Sequence, residues 1–172
     1  MIYLLIFLVT GTQDLSQEPG LHEVRNLYAK AAEQQEAGEK LLKLVKPYAN
    51  QDPLFLGYEA AANMMMAKHV ANPFTKMSYF KKGKKMLASA IETDPQNIEL
   101  RYLRFSIQAE TPGFLGYKDH LEKDKNFIRQ ELSKVKDKEL QRTILSYLLV
   151  SKAVDERERK EIRNNHNKLW KP

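Results

Sequence analysis

Histidines and acidic residues are the side chains of this sequence that could bind a metal ion or transfer protons. In the polar segment 119–124, the candidate ligands His120, Glu122 and Asp124 are two residues apart, so a helix would point them in different directions. We interpret that segment as a charged helix start, and we expect His69 to cap a helix C-terminus. We predict no metal site, because no two of the four histidines have the spacing of paired ligands on a helix: His22, His69, His120 and His166.

The residue types needed for nucleophilic catalysis are also missing or badly spaced. The chain has no cysteine, which excludes disulfides, thiolate metal sites and a cysteine nucleophile. It has no Gly-x-Ser-x-Gly motif, and its seven glycines are too isolated for a phosphate-binding loop. Glu59 is the one acid that we expect to be largely buried, with an Arg or Asn partner. We therefore predict a non-enzymatic protein with no catalytic residue and no cofactor.

A row of lysines on one amphipathic helix is the clearest charged feature. The whole chain has 28 Lys and Arg against 22 Asp and Glu, a net charge of +6. We interpret the row as a solvated outer face, and keep as an alternative a surface that binds anionic lipid or polysaccharide. Nucleic acid is not predicted, because no aromatic side chains alternate with these cations. The lysines of this face are Lys76, Lys81, Lys82, Lys84 and Lys85.

Three consecutive methionines, Met64 to Met66, stand on the most apolar helix of the sequence. Consecutive residues point in different directions around a helix, so we expect them to fill gaps against several neighbours. A second alternative for the function follows from the same residues. A cavity beside this helix would suit a small hydrolase or a ligand carrier.

The N-terminus has the features of an export signal. Residues 2–9 are an unbroken apolar run, too short for the roughly 20 helical residues that cross a bilayer. We predict that residues 1–17 are a signal peptide and linker, and that the mature chain is exported and periplasmic or envelope-associated, without a transmembrane span. The alternative is a buried strand or core helix.

Apolar residues recur at helical spacing from Leu21 onward, which predicts an all-α fold. Residues 21–46 form either a helical hairpin turning near residues 34–38 or one long helix, and we prefer the hairpin. Asp52-Pro53 predicts the start of a central helix over residues 54–71. Further helices are predicted near 74–92, from Ile98 to the break at Thr111-Pro112-Gly113, and near 118–136 and 138–153. With residues 154–172 as a charged helix or tail, this gives a single domain over 18–153 with about six or seven helices.

The segment 83–99 resembles the junction between two tetratricopeptide repeats. It contains Ala-Ile-Glu-Thr-Asp-Pro-Gln-Asn at residues 90–97, with Gly83, Leu87 and Ala90 at the small, large and small positions of a second repeat helix. Arg101 and Arg104 depart from the repeat pattern. The resemblance implies a short superhelix of stacked antiparallel hairpins.

The resemblance also implies where a partner would bind. It places Tyr102 and Ser106 on the concave wall of the superhelix, and we add Tyr58 and Tyr117 because tyrosines combine an apolar ring with a hydrogen-bonding hydroxyl. We therefore expect an exported binding or scaffold protein that holds a peptide or protein partner in this groove.

Overall fold

A computed structural model describes residues 18–166 of this chain. Those residues contain eight α-helices and two short 3-10 turns and no β-strand, so the predicted all-α class is confirmed, with eight helices in place of the six or seven expected. The helices are α1 (Leu21–Ala31), α2 (Gln35–Val45), α3 (Pro53–His69), α4 (Pro73–Thr93), α5 (Ile98–Glu110), α6 (Leu121–Glu131), α7 (Lys138–Val150) and α8 (Glu156–Asn165). The 3-10 turns are Gly113–Leu115 and Leu132–Lys134.

Short side chains placed just before the helices explain most of the helix starts. Asp52 accepts a hydrogen bond from the backbone N–H of Leu54 at 2.7 Å, and Pro53 opens α3 as predicted. Asn72 caps α4 in the same way, through the N–H of Phe74 at 2.9 Å. The central helix, predicted over residues 54–71, ends earlier, at His69. Asn72 caps the next helix, α4.

The helices pack as consecutive hairpins. α1 pairs with α2, α3 with α4, α5 with α6 and α7 with α8, while α1, α3, α5 and α7 also contact one another in sequence. The α1–α2 turn at residues 32–34 confirms the hairpin over one long helix. The odd-numbered helices therefore form one continuous layer, with the largely buried α3 at its centre.

A buried carboxylate ties this layer together. Glu99, at the start of α5, receives two hydrogen bonds from the guanidinium of Arg25 on α1, at 2.7 and 2.8 Å. The hydroxyl of Tyr58 on α3 donates to the same carboxylate. Arg25 also donates at 2.7 Å to Asp137, the residue that caps α7. One group of four side chains thus connects all four odd-numbered helices.

A second buried carboxylate corrects two sequence interpretations. Asp124, predicted as part of a charged helix start, is completely buried on α6. It accepts from Arg104 at 2.6 and 2.8 Å and from Arg101 at 3.0 Å. These arginines, which depart from the repeat pattern, are buried because Asp124 neutralises them. Asp124 and Glu99 also show that Glu59 is not the one largely buried acid.

We predict that Glu99→Gln lowers the free energy of unfolding by about 3 kcal/mol, because it leaves the buried Arg25 without its main counter-charge. Urea unfolding followed by circular dichroism measures the change. The matched control is Glu36→Gln, which breaks an exposed pair with Lys40 and is expected to leave the unfolding midpoint unchanged. Equal effects of the two substitutions would contradict the structural importance of Glu99.

The contact between α3 and α4 depends on Gly83. A Cβ atom at this position would lie 2.5 Å from the carbonyl oxygen of Ala60 and 2.6 Å from Cγ of Met64. The two helices can approach this closely because glycine has no side chain there. Gly38 on α2 is different, since a Cβ there would meet the flexible end of Met66, with Sδ at 2.9 Å.

We expect Gly83→Ala to destabilise the fold by about 1–3 kcal/mol, because backbone atoms of α3 must move. Gly38→Ala is the matched control: a methionine end can rotate away, and alanine favours the helix by up to about 1 kcal/mol. Thermal unfolding of both variants tests the comparison, and a loss at Gly38 as large as at Gly83 would contradict it.

Candidate binding cavity

A cavity of about 710 Å³ opens on the layer formed by the odd-numbered helices. All four of those helices contribute to its wall, together with the first two turns of α4 and the 3-10 turn after α5. Much of the lining is apolar and includes two of the three consecutive methionines. Its apolar side chains include Met64, Met65, Met77, Phe80, Ile107 and Leu115. Flexible methionines let such a wall adapt to the shape of an occupant.

Other side chains that line the cavity form a chain of hydrogen bonds. The Ser106 hydroxyl donates its hydrogen to the Leu103 carbonyl at 3.0 Å. The Tyr28 hydroxyl lies 2.9 Å from the Ser106 hydroxyl, and because Ser106 has no second hydrogen to donate, Tyr28 is the donor of this bond. The Tyr147 hydroxyl lies 3.2 Å from both the Ser106 carbonyl and a carboxylate oxygen of Glu110. These groups satisfy one another, so this part of the wall is polar and already paired.

Tyr102 is the exception on this wall. Its side chain lines the cavity and is only 8 % exposed, and its ring packs edge-on against Tyr147 at 5.7 Å between centroids. Within residues 18–166 its hydroxyl has no hydrogen-bond partner. Burial raises the pKa of Tyr102 above its usual value, so at neutral pH this hydroxyl is a donor without an acceptor.

The rim of the cavity combines cations with exposed aromatic residues. Lys68 and Lys76 line the opening and are exposed. Phe114, on the 3-10 turn, lines it too and is 88 % exposed. Phe74, the second residue of α4, is 85 % exposed. Large apolar side chains with this exposure beside a cavity are typical of a surface that contacts another molecule.

The predicted partner-binding residues are divided between two locations. Tyr102 and Ser106, which the repeat resemblance placed on a concave wall, line the cavity, and their binding role stays a prediction. Tyr58 and Tyr117 lie outside it and are 1 % and 3 % exposed. Tyr58 is bound to Glu99, and Tyr117 packs edge-on against Phe80 at 5.5 Å, so both rings are part of the core.

The predicted lysine face is also divided. Lys82 lies 3.7 Å from the carboxylate of Glu59 on α3, so Lys82 is the charged partner of that buried acid. Lys84 lies 3.9 Å from Asp119 and 4.9 Å above the ring of Tyr117. The remaining lysines of the face have no ion pair within the described part of the chain: Lys76, Lys81 and Lys85.

The structure also places the other singled-out features. His69 caps the end of α1 rather than its own helix, through a 2.8 Å hydrogen bond to the Ala31 carbonyl. Among residues 18–166 no group of His, Asp and Glu side chains could hold a metal ion. None of the helices in that range is long and apolar enough to cross a membrane. The predicted signal peptide and linker, residues 1–17, lie outside the described residues.

Comparison of the chain with models of known protein families, with curated proteins and with solved structures finds no match in any of the three. The tetratricopeptide resemblance therefore stays a prediction from residues 83–99.

Sequence reasoning missed Tyr28, Tyr147 and Glu110 as cavity residues. Tyr28 belonged to an apolar stripe, which indicated burial but not a cavity. Tyr147 meets Ser106 from 41 residues away, and no local pattern reports such a contact. Two sequence signals pointed to this part of the fold: the three methionines, and the repeat resemblance that singled out Tyr102 and Ser106.

The tyrosines of the core predict how stability changes at alkaline pH. Burial raises the pKa of Tyr28 and of Tyr117 to about 12, and it also raises the pKa of Tyr58, Tyr102 and Tyr147. A raised pKa stabilises the fold fully below the unfolded tyrosine pKa of about 10, and this stabilisation is lost as pH rises towards 12. We therefore expect helix content to fall in the same pH range in which tyrosinate absorbance appears.

Parallel circular dichroism and absorbance titrations measure the two transitions. Tyr102→Phe removes an ionising group without removing a protein hydrogen bond, so it is expected to shift the loss of helix to higher pH. Tyrosinate absorbance that rises to completion while helix content stays constant would contradict the prediction.

Proposed function

We propose that this chain is a non-enzymatic binding protein whose cavity holds a small amphipathic molecule with a long apolar part. The volume of about 710 Å³ lies within the roughly 300–1,000 Å³ of small-molecule sites. Such sites are mostly apolar, with a few polar groups that orient the ligand. This cavity has that composition.

The observation that carries the proposal is the unpaired hydroxyl of Tyr102. The ring of Tyr102 is largely buried, but its hydroxyl oxygen is not sealed from solvent and is accessible to a molecule in the cavity. In a mostly apolar site, a few accessible polar groups of this kind orient the ligand. A ligand with one acceptor oxygen near its apolar part would supply a hydrogen-bond partner for this hydroxyl. The neighbouring hydroxyls of Tyr28, Ser106 and Tyr147 are already paired and do not compete for it.

The cavity wall favours binding over catalysis. Ser106 carries a hydroxyl that is held by Tyr28 and Leu103 and has no general base beside it. Glu110 contacts Tyr147, and Glu59 lies away from the cavity, beside Lys82. No pair of these groups has the arrangement of a nucleophile and its base.

Calorimetric titration with palmitic acid, its methyl ester and hexadecane tests the proposal. We expect saturable one-to-one binding of the acid and the ester, because both carry an acceptor oxygen for Tyr102. Tyr102→Phe is expected to weaken the binding of these two about fivefold, the value of one hydrogen bond of about 1 kcal/mol. Absence of saturable binding for all three molecules would contradict the proposal.

A blocking variant locates the binding. Ala29 is exposed on α1 and lines the cavity, so Ala29→Trp is expected to fill the opening and weaken binding at least about tenfold. Glu36→Trp adds the same ring at an exposed position of α2 outside the cavity and serves as the matched control. Equal affinities of the two variants would exclude the cavity as the site.

A peptide or protein partner is the second candidate. It is favoured by the continuous layer of odd-numbered helices and by the exposed Phe74 and Phe114 beside the opening. Peptides selected from a random library that compete with palmitic acid and lose affinity with Ala29→Trp would support it. Export to the periplasm or envelope also remains a proposal, and its support is the apolar run at residues 2–9.

A further inference from the structure

We propose that the cavity rim docks on an anionic lipid bilayer, with Phe74 and Phe114 entering the interface and Lys81 and Lys85 contacting the head groups. We call this surface the docking rim. Phe114 also lines the cavity opening, whereas Phe74, Lys81 and Lys85 lie outside the cavity.

The two phenylalanines are the most exposed large apolar side chains of the described residues, at 85 % and 88 %. They also lie on neighbouring elements. Phe114 shares the cavity opening with Met77 and Pro73 of α4, and Tyr117 holds the same loop against Phe80 on the next turn of α4. Met77 adds a third apolar side chain that is 38 % exposed. Two highly exposed aromatic rings on neighbouring elements are typical of a surface that contacts another molecule.

Phe74 and two of the exposed lysines lie on the same face of α4. Phe74, Lys81 and Lys85 are separated by seven and four residues, so they lie along one face of α4. All three are exposed. The face is therefore apolar at the end beside the cavity and cationic at Lys81 and Lys85, and it ends with the exposed Glu92 in the last turn.

The charge of this face is not cancelled by the protein. The one acidic residue of α4 is Glu92, in its last turn. Among the acids on elements beside the helix, Glu59 and Asp119 are paired with Lys82 and Lys84. On α5, Glu99 is paired with Arg25 and Glu110 contacts the hydroxyl of Tyr147. Lys81 and Lys85 thus remain available for an external anion.

A bilayer surface matches both halves of the face. Interfacial segments bury aromatic side chains at the acyl boundary while lysines contact anionic head groups, each lysine adding about 1 kcal/mol of attraction. An acidic protein segment would satisfy the lysines but leave the two phenylalanines in water. Docking in this orientation would turn the cavity opening toward the lipid.

Co-sedimentation with lipid vesicles tests the docking rim. We expect the chain to bind vesicles of mixed phosphatidylglycerol and phosphatidylcholine, and not vesicles of phosphatidylcholine alone. Binding should be lost at about 0.5 M NaCl, where exposed charges are screened. Equal binding to both vesicle types would overturn the proposal. Absence of vesicle binding together with binding to polyglutamate would assign the face to an acidic protein instead.

Matched variants separate the rim from general charge and apolarity. Lys81→Gln with Lys85→Gln is expected to weaken vesicle binding about 25-fold, about fivefold per lysine. Lys123→Gln with Lys136→Gln removes the same charge from exposed positions elsewhere and should have a much smaller effect. Phe74→Ser should also weaken binding, because Phe74 is 85 % exposed and does not line the cavity, whereas Val150→Ser, at a residue 74 % exposed on α7, should not.

Equal losses in the rim and control variants would overturn the proposal. Palmitic acid binding provides an independent reading, because none of Phe74, Lys81 and Lys85 lines the cavity. Vesicle binding can therefore be absent while the cavity still binds palmitic acid, and vesicle binding can be present while the cavity binds no palmitic acid.

Discussion

The carboxylate of Glu99 is the constraint on which the arrangement of the helices depends. A buried charge is strongly unfavourable unless it is paired and hydrogen-bonded. Glu99 is satisfied only where α1 brings the guanidinium of Arg25 and α3 brings the hydroxyl of Tyr58 to the start of α5. Arg25 then extends the connection to Asp137 at the start of α7. The layer of odd-numbered helices is held together by this one group, and their shared face is where the cavity opens.

The cavity follows from two different kinds of wall on that face. Paired hydroxyls of Tyr28, Ser106 and Tyr147 restrain one part of the wall, because each position is determined by the next. Another part consists of methionine and phenylalanine side chains that can change rotamer at low cost. Restrained polar groups together with adaptable apolar side chains suit the recognition of one hydrogen-bonding group on ligands whose apolar part varies.

Helix boundaries were predictable because their causes are local. Asp52-Pro53 supplies both a cap and the backbone angle of the first turn of α3. Thr111-Pro112-Gly113 lies directly after α5, where the proline prevents the helix from continuing. Burial of charge was not predictable. Asp124 and Glu99 have the appearance of surface acids in sequence, and Arg101 that of a surface cation, because the partner that permits burial stands up to 74 residues away.

The sequence by itself determined the all-helical class, most of the helix boundaries and the methionine-rich character of α3, since these depend on neighbours within a few residues. Only the tertiary structure decided which tyrosines line a cavity and which lie in the core. Tyr58 and Tyr102 are both tyrosines on odd-numbered helices, yet one donates to Glu99 and the other faces open space. That difference depends on which acceptor the packed helices bring close to each hydroxyl. A local sequence pattern does not contain this information, because the acceptor comes from a distant segment of the chain.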